Sequence, residues 1–440
     1  MKKRIVILGG GFAGVECARR IEKHVRSNSS TEIALVSEDN FLLFTPLLPQ
    51  VASGMVQTRN IVIPIRTILK KTKFYENRVQ GIDPVSQKVS LWGTPERHGI
   101  TLDYDFLVVA LGSETNFFGM QDVEDNSFKM KTLKDAVDVR NRVIDILEQA
   151  DNESDPDIKK SLLTIVIVGG GFAGIETAGE LHDLLTDAVK YYHTISREEI
   201  HVIVLESGDV ILPSITKKLA HIAHTKILQD GIDVRLRTVV VSFDGDTVGV
   251  EDVDGNMHDD IHTKTVIWTA GVTPVNTVKR SVFKTKQGKI EVDDHLEAKE
   301  YKNVFVAGDC ALFHDVDGKP LPPTAQVASS QAKCVADNLV SIINGKPIRT
   351  YEFKHKSHMA LIGKRSGIAS LFGMSVGGIL AWMMWRNLFI TKVPTFSKKI
   401  RLILDWTGDA IFDRDISRLK FTNNKKVKEY ETEAELDDFW

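Results

Sequence analysis

Glycines at 9, 11 and 14, and again at 169, 171 and 174, give the chain two copies of G-x-G-x-x-G. A carboxylate stands downstream of each, Glu38 and Glu206. The spacing suits one chemistry, the holding of a dinucleotide pyrophosphate. The first glycine makes a tight turn off a strand, the second lets backbone approach the phosphates, and the third lets helix and strand pack closely. The phosphate charge then meets unpaired N–H groups at a helix N-terminus. An acid closing the second strand accepts hydrogen bonds from ribose hydroxyls, and at Glu206 it would repel a 2′-phosphate, which favours NAD over NADP. An ordinary strand-end carboxylate is the plainer reading of either acid alone. Two such sites together imply a flavoprotein fed by a nicotinamide.

The elements that must position these residues are legible around them. Arg4 to Leu8 and Thr164 to Val168 are β-branched apolar runs, and helical spacing follows each loop, over 15–21 and 175–185. Glu38 closes the run that starts at Glu32, and Glu206 closes His201 to Leu205. Asp105 to Gly112 and Thr265 to Gly271 read as buried strands ending in a small residue and glycine, and Asn303 to Ala307 runs into Gly308-Asp309. Such uniformly apolar strands suit parallel sheets covered on both faces. A charged helix is expected over 133–150, a polar hinge over 151–156 and an extended helix or insertion over 186–199. Hairpins are expected within 239–257, where Asp-Gly pairs recur.

With 440 residues, the chain has room for two or three cored domains. Its formal charge of −3 gives no reason to expect nucleic acid. Cys17, Cys310 and Cys334 are scattered, which argues for a reducing compartment and against a disulfide framework, a zinc site or a catalytic dithiol. No signal peptide is expected ahead of the first strand, so the default location is the cytoplasm. The last ninety residues differ in character. Met374 to Trp385 is uncharged but too short for a bilayer span, which needs ~20 residues. Trp382, Trp385 and Trp406 lie beside Lys392, Lys398, Lys399 and Arg401, which reads as a helix in a membrane interface; a dimer interface or ordinary core is the alternative. The charged segment 423–440 is expected to be a solvated tail.

On these motifs the chain resembles the two-dinucleotide-binding-domain flavoproteins, and among them the type II NADH:quinone oxidoreductases, from Arg4 to about Phe421. Four stretches carry the likeness: Phe44 to Gly54, Gly174 to Leu181, Pro322 to Ala328, and the Trp-rich basic C-terminal region. The resemblance implies an α/β fold with two Rossmann-like domains, for FAD over 1–115 and 286–345 and for NADH over 116–285. A membrane-associating helical region would follow over 346–440. It implies FAD contacts from Gly9, Gly11, Phe12, Ala13, Gly14, Glu38, Thr45, Pro46, Ala110, Gly112, Gly308, Asp309, Ala325, Gln326, Val327 and Lys356. It implies NADH contacts from Gly169, Gly171, Phe172, Ala173, Gly174, Glu176, Glu206, Ala270 and Gly271, and a quinone headgroup at Gln326, Ser330 and Gln331. Glu176 and Gln326 are the expected catalytic residues, Glu176 orienting the nicotinamide or relaying protons and Gln326 bonding a quinone carbonyl or the flavin edge. Helix-dipole compensation and a capping amide are their plainer readings.

The chain also departs from the family. Four positions after Gln326, where the family commonly has a second glutamine, this chain has Ser330. Gln331 is one step later and rotated by ~100° on a helix. Lys356 is followed by Ser357 rather than glycine. The expected protein is a non-pumping peripheral membrane enzyme on the cytoplasmic face, a homodimer, serving a respiratory chain through ubiquinone or menaquinone. A soluble NAD(P)H-dependent reductase passing electrons to ferredoxin, rubredoxin or oxygen is the alternative. A sulfide:quinone oxidoreductase would need cysteines around its flavin, and a non-enzymatic NADH sensor stays open.

Overall fold

Every residue from Ile5 to Leu8 is wholly buried, as a strand flanked on both sides and covered on both faces requires. In the computed structural model, which describes residues 3–24, 31–93, 99–256, 258–353, 358–371 and 374–418, this strand is central to a five-stranded parallel sheet. The order is Val304–Val306, Phe106–Val109, Lys3–Leu8, Thr31–Ser37 and Lys73–Glu76. A second parallel sheet repeats the plan as Phe128–Lys129, Thr265–Trp268, Thr164–Val168, His201–Leu205 and Asp233–Arg235. In each, the strand feeding the glycine loop lies between the strand bearing the downstream acid and the strand ending in a small residue and glycine. The ligand crevice of such a sheet lies at the carboxyl ends of its strands.

Seven helices position the site: α1 (Phe12–His24), α2 (Leu48–Ala52), α3 (Leu133–Asp151), α4 (Phe172–Ala188), α5 (Ala325–Ile343), α6 (Gly378–Lys392) and α7 (Phe396–Ile411). Helix α3 begins at a capping box between Thr132 and Asp135. The 151–156 stretch is a polar turn between two helices. The Asp155 carboxylate accepts from the N–H groups of Asp157 and Ile158 and starts a helix at Pro156 that leads into the second glycine-loop strand. The expected insertion over 186–199 is the end of α4 followed by two single 3₁₀ turns. Strands Thr238–Phe243, Thr247–Asp252 and His258–His262 form the expected hairpins, with positive φ at Gly245 and Gly255.

Past α5, the antiparallel strands His358–Gly363, Ser366–Leu371 and Met374–Gly377 form a small sheet whose first strand lies over α4, and they lead into α6 and α7. These helices correct one expectation. Trp385 and Trp406 are 1% and 4% exposed, and Trp382 is half-buried. The Trp385 ring stacks on Phe389 at 4.0 Å, the guanidinium of Arg386 lies over Trp382 at 3.6 Å, and Trp406 donates Nε1 to Gln50 Oε1 at 2.9 Å. Burying an indole removes roughly 200 Å² from water, worth about 5 kcal/mol, so these rings serve as anchors of the two helices. The exposed apolar residues are others: Ile379, Leu380 and Met383 on α6, and Phe396, Ile400, Ile403, Leu404 and Ile411 on α7. Among the described residues no helix is long and apolar enough to cross a membrane. The tail at 423–440 lies outside them.

Candidate functional site

The first glycine loop has one open side. A Cβ on Gly9, whose φ is +108°, would stand 2.1 Å from the carbonyl oxygen of Ala110, and one on Gly14 would stand 1.9 Å from that of Gly9. One on Gly11 would meet nothing within 4 Å. Space at Gly11 and closure at its neighbours fit a pyrophosphate resting on the N-terminus of α1. Phe12 turns away to pack edge-on against Phe44 at 5.6 Å, and Ala13 is buried. Thr45 and Pro46, in a short 3₁₀ turn, follow Phe44 directly. Ala110, Gly112, Gly308 and Asp309 come to the same end of the sheet, because their strands pair in parallel with matched lengths. Gly112 and Gly308 have φ of +76° and +78°, and a Cβ on Gly308 would touch Ala13 and Ala328. Asp309 Oδ2 accepts from Ser113 Oγ at 2.5 Å and lies 3.8 Å from Lys131 Nζ.

The second loop repeats the geometry. A Cβ on Gly174 would meet the carbonyl oxygen of Gly169 at 1.8 Å, while at Gly171, the N-cap of α4, nothing lies within 4 Å. Phe172 and Ala173 open α4, and Ala270 and Gly271 follow the end of the neighbouring strand, with Phe118 against Gly271. The two downstream acids are not equivalent. Gly9 N donates to the carbonyl of Val36 and Gly169 N to that of Leu205, so Glu206 stands in register with Ser37, and Glu38 lies one residue further out. Glu206 is locked, with one oxygen accepting from Gly170 N at 2.6 Å and the other from Gly208 N at 2.7 Å. Glu38 is exposed beside Arg78, 3.4 Å away.

Thr324 caps α5 by accepting from Val327 N, which leaves Ala325 and Gln326 in the first turn, with the Gln326 side chain exposed. That turn abuts Gly308 through Ala328. The expectation for Gln331 needs correction. It is 1% exposed, and its Oε1 accepts from Gly308 N at 2.7 Å, so it braces the Gly308-Asp309 turn instead of facing a ligand. The rotation of one residue on the helix turns it inward; Ser330 is half-buried. Lys356 lies outside the described residues.

Glu176, expected close to the nicotinamide, is 9% exposed, and its Oε1 accepts from Leu361 N at 3.1 Å. Burial pushes its carboxyl up to about 8, against the Leu361 N–H, and the neighbouring Glu180 adds to the rise. Several polar residues here carried no sequence signal of their own. Glu180, 2% exposed, accepts from Ser53 Oγ at 2.7 Å and faces Arg414 Nη2 at 3.4 Å. Its acidity is lowered mainly by burial. Arg414 also donates Nε to Asp409 at 3.0 Å. A hint was available: spacings of four and three put Glu176, Glu180 and Asp183 on one face of their helix. The cysteines at 17, 310 and 334 are free and buried, and burial pushes the Cys310 thiol up to about 12, the opposite of a reactive thiolate.

The pyridine nucleotide-disulphide oxidoreductase family matches residues 3–332, and the NDH2 C-terminal domain matches 355–415. A probable NADH dehydrogenase of Dictyostelium discoideum is 33% identical over 426 residues, covering 94% of this chain and 91% of that one. The type II NADH:quinone oxidoreductase Ndh of Mycobacterium tuberculosis is 30% identical over 420 residues, covering 92% and 88%. In fold, the structure of NDH2 from Plasmodium falciparum in complex with NADH superposes with a TM-score of 0.85 at 19% identity, over 95% of this chain and all of that one. With both glycine cradles and the C-terminal unit matched, the chain belongs to the type II NADH:quinone oxidoreductases, within the pyridine nucleotide-disulphide oxidoreductase family.

Proposed function

We propose that this protein oxidises NADH and reduces a membrane quinone without pumping protons, docked peripherally on the cytoplasmic face of a membrane as a homodimer. The observation that carries the reading is the pair of open glycine cradles, at Gly11 and Gly171, each at the N-terminus of a helix in one chain. FAD bound at the first cradle would supply the hydride-accepting and electron-donating chemistry that links NADH to quinone.

The chain's own residues do the rest. Gly9, Gly11 and Gly14 seat the FAD pyrophosphate, and Glu38, free of the loop, takes the ribose. Asp309, braced by Ser113 and Lys131, accepts from the ribityl chain. The amides around Gly171 seat the NADH pyrophosphate, and Glu206 faces its ribose with both oxygens already fixed. Gln326, exposed on the first turn of α5, offers a donor and an acceptor to the quinone carbonyl. Glu176, buried under Leu361, holds a proton at its carboxyl. The FAD domain spans 1–115 with 286–345, the NADH domain 116–285 and the membrane-docking region 346–440. The apolar stripe of Phe396, Ile400, Ile403 and Leu404 supports the membrane assignment, since spacings of four, three and one line one helix face.

The test is NADH oxidation by FAD-loaded protein with and without a short-chain quinone. Quinone-dependent turnover that falls in Gln326→Ala with flavin content intact supports the reading. Flavin that NADH reduces but no quinone reoxidises overturns it.

A further inference from the structure

Phe117 and Phe118 are neighbours in opposite environments. Phe117 is 5% exposed and packs on Trp268 with ring centres 5.4 Å apart, so it completes the core beside the second sheet. Phe118 is 65% exposed. Its backbone φ is +55° and that of Gly119 is +87°, and Met120 N donates to the Phe117 carbonyl at 3.0 Å. Phe117 to Met120 therefore make a tight turn whose central residues are both left-handed. Glycine, asparagine and aspartate sit there without strain; a phenylalanine does not, and its ring gains little burial in return.

Asn116 holds this turn in place. Its carbonyl accepts from Trp268 Nε1 at 2.8 Å, its N–H donates to the Gly271 carbonyl at 3.3 Å, and its side-chain oxygen accepts from Phe118 N at 3.0 Å. Strain kept at an exposed aromatic by its surroundings points to a use for the ring. The location indicates which use. A Cβ on Gly271 would stand 3.1 Å from Phe118 Cζ, so the bare glycine is what lets the ring lie there. Thr269 and Ala270 flank Gly169 on this side of the loop, while Glu206 bonds Gly170 on the other. A dinucleotide seated at Gly171 with its adenosine ribose at Glu206 thus extends its nicotinamide half past Gly271 towards Phe118. Beyond lies the flavin side, where Val272–Pro274 pairs with Ser113–Thr115 and Ser113 bonds Asp309.

We propose that Phe118 is a binding residue for the nicotinamide half of NADH, its ring packing on that half at the mouth of the crevice and excluding water from it. The inference rests on the reading of the second cradle as the NADH site. The ring offers apolar contact to the reduced nucleotide and an aromatic face to the pyridinium cation of the oxidised one.

The experiment titrates the FAD-loaded full chain by calorimetry with NAD⁺ and with ADP-ribose, which lacks the nicotinamide. Phe118→Gly deletes the ring and suits the left-handed turn. It is expected to weaken NAD⁺ binding by about fivefold or more and to leave ADP-ribose within about twofold of wild type. In stopped flow, the NADH concentration that half-saturates flavin reduction should rise in parallel. Phe118→Tyr keeps the ring and should bind NAD⁺ as the wild type does. Unchanged NAD⁺ affinity in both Phe118→Gly and Phe118→Ala overturns the proposal. So does an equal loss for NAD⁺ and ADP-ribose, which would mark a general distortion of the site. A wild-type protein that binds neither nucleotide overturns the underlying reading instead.

Discussion

A Cβ on Gly179 would stand 2.4 Å from the carbonyl oxygen of Ile362. The absence of that carbon lets the His358–Gly363 strand lie directly on α4, and this approach delivers Leu361 N to Glu176. Gly179→Ala should therefore push strand from helix. It should cost about 1–3 kcal/mol of stability by overpacking, read as a lower unfolding midpoint. The quinone half-reaction should suffer more than flavin reduction. An unchanged midpoint would mean the strand shifts freely.

Glu206 is fixed by the N–H groups of Gly170 and Gly208, so it cannot turn away from a 2′-phosphate without breaking two bonds. Glu206→Ser should lower the ratio of kcat/KM for NADH over NADPH by about tenfold or more, since that carboxylate would otherwise face a second anion. Equal use of the two nucleotides by the wild-type protein would refute the assignment of NADH specificity to this carboxylate.

The two faces of α7 should respond oppositely to substitution. Trp406→Phe loses the bond to Gln50 and leaves a buried amide oxygen unpaired, for about 1–3 kcal/mol of destabilisation, without changing binding to anionic lipid vesicles. Leu404→Glu, at an exposed apolar position, should alter stability by no more than about 0.5 kcal/mol yet weaken vesicle co-sedimentation. Undiminished sedimentation of Leu404→Glu combined with Phe396→Glu would remove the membrane-docking role of this face.

Glu176 should also be visible in stability against pH. Its folded value near 8 lies above the ordinary 4.5, so between these values the folded state holds more protons than the unfolded chain. Its contribution to stability is present below pH 4.5 and is lost as pH rises towards 8. Glu176→Gln should be as stable as wild type or less so at pH 5 and gain on it steadily up to pH 9, measured by thermal unfolding. A gap that stays constant over that range would show that the carboxyl is not held neutral.

What the sequence by itself determined was local. Each glycine loop is a strand, a turn and a helix within some twenty residues, so spacing alone specified the cradles at Gly11 and Gly171. The same applies to the apolar strands and the Asp-Gly hairpin turns. Tertiary structure decided what depends on residues far apart in the chain. Glu38 and Glu206 look equivalent by position, yet strand register sets Glu206 opposite Ser37 and lets the loop amides capture only Glu206. Gln331 and the tryptophans look like surface contacts until Gly308 and Gln50 claim them. Glu180 meets Arg414 across 234 positions, and its charge is governed by that contact and by burial. Periodicity names the face on which a side chain stands. Only packing decides whether that face meets water, a ligand or another part of the chain.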